Sequence, residues 1–151
     1  MPPPHDRAVH WAWTIEEADA LAWIRHDLRE RATAHGAPAP DHGPLMTGPV
    51  ERLLLVFSEL ATNGLRHGVP PVGVEVARTD EGWLVVVSDR QVEAGPTRHA
   101  PDPRRHGQHG LVVVEAVSES VGWYADSGVK HVWATVPDVP PPDLLDRLTA
   151  S

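Results

Sequence analysis

Residues 50–67, VERLLLVFSELATNGLRH, and the segment after them, residues 72–88, VGVEVARTDEGWLVVVS, decide the fold of this chain. In the first segment apolar residues recur every three or four positions, which is the period of an amphipathic helix. Pro70 and Pro71 follow and end that helix. The second segment holds two alternating runs, 72–77 and 83–88, around an Asp-Glu-Gly turn, and this pattern predicts a β-hairpin.

The same patterns predict the remaining elements on either side of this region. Val9 to Trp13 is typical of a short strand, with its two tryptophans on one face. We expect Thr14 to cap a helix that runs to about Ala34 and that Gly36 stops. A third helix from Gly110 to about Ser120 and a second hairpin around Ser127-Gly128 follow; the hairpin strands are predicted at 121–125 and 131–136.

The order of the elements predicts the fold class. Strand, two helices, two strands, helix and two strands form an α+β two-layer sandwich, with a mostly antiparallel sheet and helices on one face. Residues 1–136 form one domain in this interpretation, and 137–151 form a proline-rich tail. Prolines and glycines predict loops at 37–49 and 90–109, and a long loop in a compact domain is often functional.

Composition narrows the classes of function. The 151 residues carry a net charge of −8, which disfavours nucleic acid as a partner. The absence of cysteine excludes disulfides and thiolate chemistry. No apolar run is long enough to cross a membrane and the first residues lack the pattern of a signal peptide, so we expect a cytoplasmic protein. Residues 97–109 are locally basic, which suits a phosphate chain as well as an ordinary solvated loop.

Three features of the sequence suit a nucleotide: a polar pair on one helix, an aspartate at a strand end and a glycine-flanked helix start. Glu59 and Asn63 lie four residues apart on one helix face, where a carboxylate polarises a hydroxyl and an amide oxygen completes a Mg²⁺ shell. Asp89 ends an apolar strand and can accept a hydrogen bond from an amino group such as that of adenine. Gly107 and Gly110 precede an apolar helix, whose free backbone N–H groups bind phosphate. Taken singly, these features also fit a solvated helix face, a turn-forming aspartate and an ordinary loop end.

The run at residues 59–68, ELATNGLRHG, resembles the N box of the GHKL superfamily of ATPases, and most closely its version in bacterial anti-sigma-factor serine kinases. Asp89 stands where that family has its adenine-binding aspartate. Residues 107–111 resemble its second glycine box, and residues 128–134 resemble the segment before its last strand. The likeness covers about residues 9–136, and it implies a histidine-kinase-like ATPase fold of the Bergerat type.

The resemblance implies a role for each matching residue. Glu59 would be the catalytic base, Asn63 would hold Mg²⁺ through the nucleotide, and Asp89 would read the adenine amino group. The other residues expected to bind the cofactor are Arg66, His67, Gly107, Gly110 and Leu111. ATP and Mg²⁺ would be the cofactors, and residues 98–109 would close over the triphosphate. The implied activity is a serine/threonine protein kinase that regulates transcription, with an anti-sigma antagonist or a sigma factor as partner, and a homodimer is a further expectation.

Four positions differ from the family pattern and keep other interpretations open. Gln91 and Glu93 stand where the family usually has glycines, His131 stands where it usually has a threonine, and Gly64 replaces a usual alanine. A second interpretation is therefore a protein-binding module that keeps the fold with weak or lost ATP binding. A third is a metal site built from His99, His106 and His109. A serine hydrolase is disfavoured because no G-x-S-x-G motif is present.

Overall fold

The computed structural model describes residues 9–35, 48–90 and 110–139, and within the third helix it describes side chains from Val114 onward. Eight elements follow one another along the chain: β1 Val9–Ile15, α1 Ala20–Ala34, α2 Pro49–His67, β2 Val72–Arg78, β3 Gly82–Asp89, α3 Gly110–Val117, β4 Ser120–Asp126 and β5 Val129–Pro137. Within these ranges no helix combines the length and the apolar character that crossing a membrane requires.

The strands form one five-stranded sheet in the order β1-β2-β3-β5-β4. Each described pair of neighbouring strands is antiparallel, so the predicted α+β class with an antiparallel sheet is confirmed. Both predicted hairpins are present. Ser127 and Gly128 connect β4 to β5 with φ angles of 52° and 77°, as the tightest hairpin turns require.

The main core lies between one face of the sheet and the helices. α2 packs on β2, β3 and β5, and it also contacts α1 on one side and α3 on the other. Its apolar stripe was predicted correctly, because Leu53, Leu54, Phe57 and Leu60 are all buried there. Alternate residues of the central strands meet this stripe, which is the period-two pattern of a sheet with a covered face. The main strand residues in this core are Val74, Val76, Trp83, Val85, Val87, Val132, Ala134 and Val136.

A second, smaller cluster lies on the opposite face of the sheet. It consists of Ala77, Leu84, Val86 and Trp133, all at most 5% exposed, with Tyr124 packed beside them. Residues 83–87, WLVVV, are therefore buried on both faces of β3, whereas alternation predicted only one buried face. A continuous apolar run is the usual sequence signal of a strand covered on both sides.

The start of α1 differs from the prediction. Thr14 does not cap a helix, because β1 continues through Ile15 and pairs with β2 along its whole length. The helix begins at Ala20, and Asp19 is its N-cap. The ladder to β2 satisfies the backbone groups of Thr14 and Ile15, which outweighs a local capping preference. α3 likewise ends at Val117, before the predicted Ser120, because that residue already pairs with β5.

Trp13 and Asp27 join β1 to α1. The Trp13 indole Nε1 donates a hydrogen bond of 3.0 Å to Asp27 Oδ2, and Arg31 Nε contacts the same oxygen at 3.1 Å. The hydrogen bond from Trp13, followed by the one from Arg31, holds the pKa of Asp27 below its ordinary value of 3.8, although burial opposes this shift. Trp11 and Trp13, which the sequence placed on one face of this strand, pack against the core, whereas Trp23 and Trp123 are exposed.

Two arginines fix the chain where it leaves β5. The buried Arg52 donates from Nη2 to the carbonyl oxygens of Pro137 and Asp138, at 3.0 and 2.9 Å. Arg78 forms a bidentate pair with the Asp138 carboxylate, at 2.8 and 2.7 Å. The planar guanidinium of Arg78 matches a carboxylate in this geometry, which makes such a pair stronger than a single contact.

Candidate functional site

The carboxyl-terminal turn of α2 lies directly on the end of β3. A Cβ atom added to Gly64 would lie 3.2 Å from Val87 Cγ1. One turn later, a Cβ atom added to Gly68 would lie 2.5 Å from Asp89 Cγ. Both glycines therefore allow the helix backbone to approach the sheet closely. The structure thus brings the end of the 59–68 run against the aspartate that ends β3.

Glu59 and Asn63 lie on the flank of α2 and not on the side that contacts α1. Ser58 marks that side, because its Oγ accepts a hydrogen bond of 2.7 Å from Arg25 Nη1 on α1. At 100° per residue, Glu59 lies about 100° and Asn63 about 140° around the helix from Ser58. Both are half-buried, so neither stands on a fully solvated face. Further along α2, His67 is half-buried and Arg66 is exposed.

Asp89 is 2% exposed, and Val69 and Lys130 are among its contacts. Its Oδ1 accepts a long hydrogen bond of 3.4 Å from the backbone N–H of Val69. Its Oδ2 lies 3.5 Å from the Nζ atom of Lys130, whose side chain is 4% exposed. Lys130 is the residue of β5 directly opposite Asp89 in the sheet register, so both side chains extend from the same face.

Lys130 had no role in the sequence analysis, which gave this part of β5 to His131. Strand alternation places His131 on the other face of the sheet, where its Nδ1 shares a hydrogen bond of 2.7 Å with Ser88 Oγ. Tyr124 stacks on the His131 ring with centroids 4.6 Å apart. The residue beside Asp89 is therefore Lys130. The predicted strand began at residue 131 and so left Lys130 out, and the register between β3 and β5 is what places Lys130 opposite Asp89.

Several predicted positions lie outside the described residues. These are Gly107, the basic segment 98–109, the three histidines of the alternative metal site, and Gln91 and Glu93. Gly110 begins α3, as the sequence predicted, while the side chain of Leu111 is outside the description. Among the side chains that are described, no group of three or more His, Asp or Glu residues is arranged to hold a metal ion.

Asp89 and Asn63 supply the types of polar group, a carboxylate and an amide, that a nucleotide bound with Mg²⁺ would need. The Asp89 carboxylate accepts hydrogen bonds, which is the chemistry that an exocyclic amino group needs, and Val69 and Lys130 are among its contacts. Asn63 offers an amide oxygen on the α2 flank. Asp89 and Lys130 are both almost fully buried, so the structure leaves little surface of either side chain for a base to contact.

A separate cavity of about 480 Å³ lies at the opposite end of β3. Its walls are the β2–β3 turn, the start of β4 and the end of β5. The Gly82 end of β3 pairs with Pro137, whereas the Asp89 end pairs with Lys130. This cavity is therefore about seven residues along the strand from Asp89 and does not belong to the same site.

Neither a scan against protein-family models nor a search of curated proteins found a match for this chain.

Proposed function

We propose that this chain is an ATP-binding regulatory protein of the GHKL type. It binds Mg-ATP between the Glu59/Asn63 helix, Asp89 and the segment from Gly107 to Gly110, and it phosphorylates or sequesters a protein partner. The observation that carries this proposal is the close approach of Gly68 to the Asp89 carboxylate, at the end of the helix that bears the 59–68 run. The resemblance requires three parts: the flank of α2, the end of β3 and the start of α3.

Each residue has a distinct task in this proposal. Glu59 accepts the proton of the acceptor hydroxyl, a role that suits a half-buried carboxylate. The Asn63 amide oxygen holds the magnesium ion, which when bound neutralises charge on the phosphates. Asp89 accepts a hydrogen bond from the adenine amino group. The partner is an anti-sigma antagonist or a sigma factor, and the output is regulation of transcription.

A second candidate function is a protein-binding module of the same fold that no longer binds ATP. The contact between Asp89 and Lys130 favours this candidate, because an ammonium group already lies beside the carboxylate that would receive the base. The near-complete burial of both side chains favours it further. The two candidates differ in whether nucleotide stabilises the folded protein.

Thermal unfolding with and without Mg-ATP separates the two candidates. A ligand that binds only the folded state at 100 times its Kd adds about 2.7 kcal/mol. For a domain of this size that corresponds to a rise in Tm of roughly 5–10 °C. We expect this rise in the wild type and its loss in Asn63→Ala, since the variant lacks the amide that holds the metal.

Ser58→Ala is the matched control for this experiment. It removes the hydrogen bond to Arg25 on the α1 side of the same helix, so it lowers the starting Tm but keeps the ATP-induced rise. No rise in the wild type at millimolar ATP refutes the proposal and favours the binding module. An equal rise in Asn63→Ala and the wild type shows that ATP binds elsewhere.

A further inference from the structure

The outer face of the sheet, which carries the second cluster, is buried more deeply than its described neighbours explain. Ala77, Leu84, Val86 and Trp133 are each at most 5% exposed. The described helices contribute to the main core on the other face and not to this cluster, which consists of strand residues. Leu84 lies between Ala77 and Thr135 in the sheet register. A leucine between two small side chains on an uncovered sheet face would expose much of its surface, so another part of the same chain covers this face.

Trp133 on β5 shows this cover most directly. A Cβ atom added to Gly122 would lie 2.6 Å from Trp133 Cζ2, so the indole extends across the neighbouring strand β4. Tyr124, on the same strand, packs beside the cluster. An indole that lies over a sheet surface has one side against the strands and the other turned away from them. Because Trp133 is only 5% exposed, the side turned away is covered as well.

Four segments of the chain lie outside the described residues, and one of them suits this face by its composition. Residues 36–47 join α1 to α2 and residues 91–109 end at α3, so both are tied to helices on the other face. Residues 1–8 contain no leucine, isoleucine, valine or phenylalanine. Residues 140–151 contain three leucines with the spacing of one apolar helix face, Leu144, Leu145 and Leu148.

The segment 140–151 also begins at the right place and has the right length. Asp138 is anchored at the Gly82 end of β3. Val86, the cluster residue furthest along β3, is four residues from Gly82, a distance of about 13 Å. Prolines 140–142 span about 9 Å when extended, and residues 143–151 span about 13 Å as a helix. The segment is therefore long enough to reach the cluster and to lie along it.

We propose that residues 140–151 dock on the outer face of the sheet, where their three leucines pack on Leu84, Val86 and Trp133. The outer face is then a docking surface for a short amphipathic segment, and the chain carries the occupant of this surface itself. This contact does not depend on nucleotide, because the outer face lies on the other side of the sheet from α2.

The test uses single introduced thiols, since the chain contains no cysteine. Ala77→Cys places a thiol in the outer cluster, and Ala134→Cys places its matched control in the main core of the same sheet. The rate of maleimide labelling is measured for each thiol, in the full chain and in the full chain with Leu144→Asp and Leu148→Asp. We expect the two aspartates to speed labelling of the Ala77→Cys protein roughly tenfold, because labelling no longer requires release of the segment. Labelling of the Ala134→Cys protein should not change.

The other two outcomes of the labelling experiment both contradict the inference. If neither rate rises, the leucines of the segment do not cover the outer face. If both rates rise equally, the leucines stabilise the whole fold and do not cover this face in particular.

A photo-cross-link covers the case in which the double aspartate variant does not fold. A benzophenone amino acid replaces Leu148 in the otherwise unchanged chain, and mass spectrometry maps the products of irradiation. We expect cross-links within one chain to the outer cluster, at Leu84, Val86 or Trp133. Cross-links confined to α1 or α2, or the absence of a link within the chain, would overturn the inference. A covalent dimer as the main product would overturn it too, because a second copy would then occupy the face.

Discussion

Gly68→Ala is the substitution that tests the contact between α2 and β3 most directly. The new Cβ atom would lie 2.5 Å from Asp89 Cγ, 2.6 Å from Asp89 Oδ2 and 2.5 Å from the carbonyl oxygen of Gly64. Gly68 has φ −90° and ψ 179°, which any residue adopts, so the whole effect is steric. The Asp89 side chain has little freedom to move because Lys130 and Val69 contact it, and the Gly64 oxygen belongs to the helix backbone.

The expected loss of stability is at the upper end of the range for an overpacked site, about 3 kcal/mol. A domain of this size has a urea m-value of about 2 kcal/mol/M, so the unfolding midpoint should fall by roughly 1.5 M. Tryptophan fluorescence during urea titration measures the midpoint. The same substitution displaces Asp89, so it should also reduce any ATP-induced rise in Tm.

Gly73→Ala is the matched control, because it makes the same chemical change in the neighbouring strand. Its Cβ atom would lie 4.0 Å from Ser88 Cβ, which is ordinary contact. We expect stability within about 0.5 kcal/mol of the wild type or slightly above it, since alanine loses less backbone entropy on folding than glycine. Equal stability of Gly68→Ala and Gly73→Ala would refute the proposed close approach of α2 to Asp89.

Two further predictions concern charged groups. Asp89→Asn leaves the Lys130 ammonium buried beside a neutral amide, so it should lower the free energy of unfolding in urea by about 3–5 kcal/mol. The double variant that also carries Lys130→Met should lose less stability than the sum of the two single variants. If the two losses simply add, the two groups do not interact. The folded pKa of Asp27 is lowered, so its contribution to stability is present above its ordinary value of 3.8 and is lost as the pH falls through the folded pKa. Asp27→Asn should therefore cost about 1 kcal/mol at pH 7 and clearly less at pH 3, and an equal cost at both pH values would contradict this explanation.

The sequence predicted the helix–hairpin unit well because each signal there is local and strong. α2 was expected at 50–67 and is observed at Pro49–His67, and β2 and β3 extend their predicted ranges by only one or two residues. A long helix with one apolar face and a hairpin with a glycine turn have few alternative structures. The two-layer arrangement followed from the order of these elements.

Long-range pairing explains where the sequence prediction failed. Thr14 is a good capping residue, but it pairs with Gly73, which is about sixty residues away in the chain. The second cluster, around Trp133, required knowledge of which strands are neighbours. Local sequence propensity indicates neither which distant residues pair nor which strands are neighbours in the sheet.

The candidate site was also only partly predictable from the sequence. The sequence placed the 59–68 run at the end of α2 and Asp89 at the end of β3, and the close approach of Gly68 to Asp89 shows that these two ends meet. The contact between Asp89 and Lys130 could not be predicted from the sequence, because it depends on the register between β3 and β5. Once that register is known, alternation alone distinguishes Lys130 from His131.

The anchoring of Asp138 by Arg52 and Arg78 has a practical consequence for experiments on this protein. β3 spans eight residues, so its Pro137-paired end lies about 23 Å from the Asp89 end. Val139, the last residue of the described part of the chain, is exposed, so a fluorophore attached there would lie at the opposite end of β3 from Asp89. A label at this position would therefore stand apart from the Asp89 end of the strand.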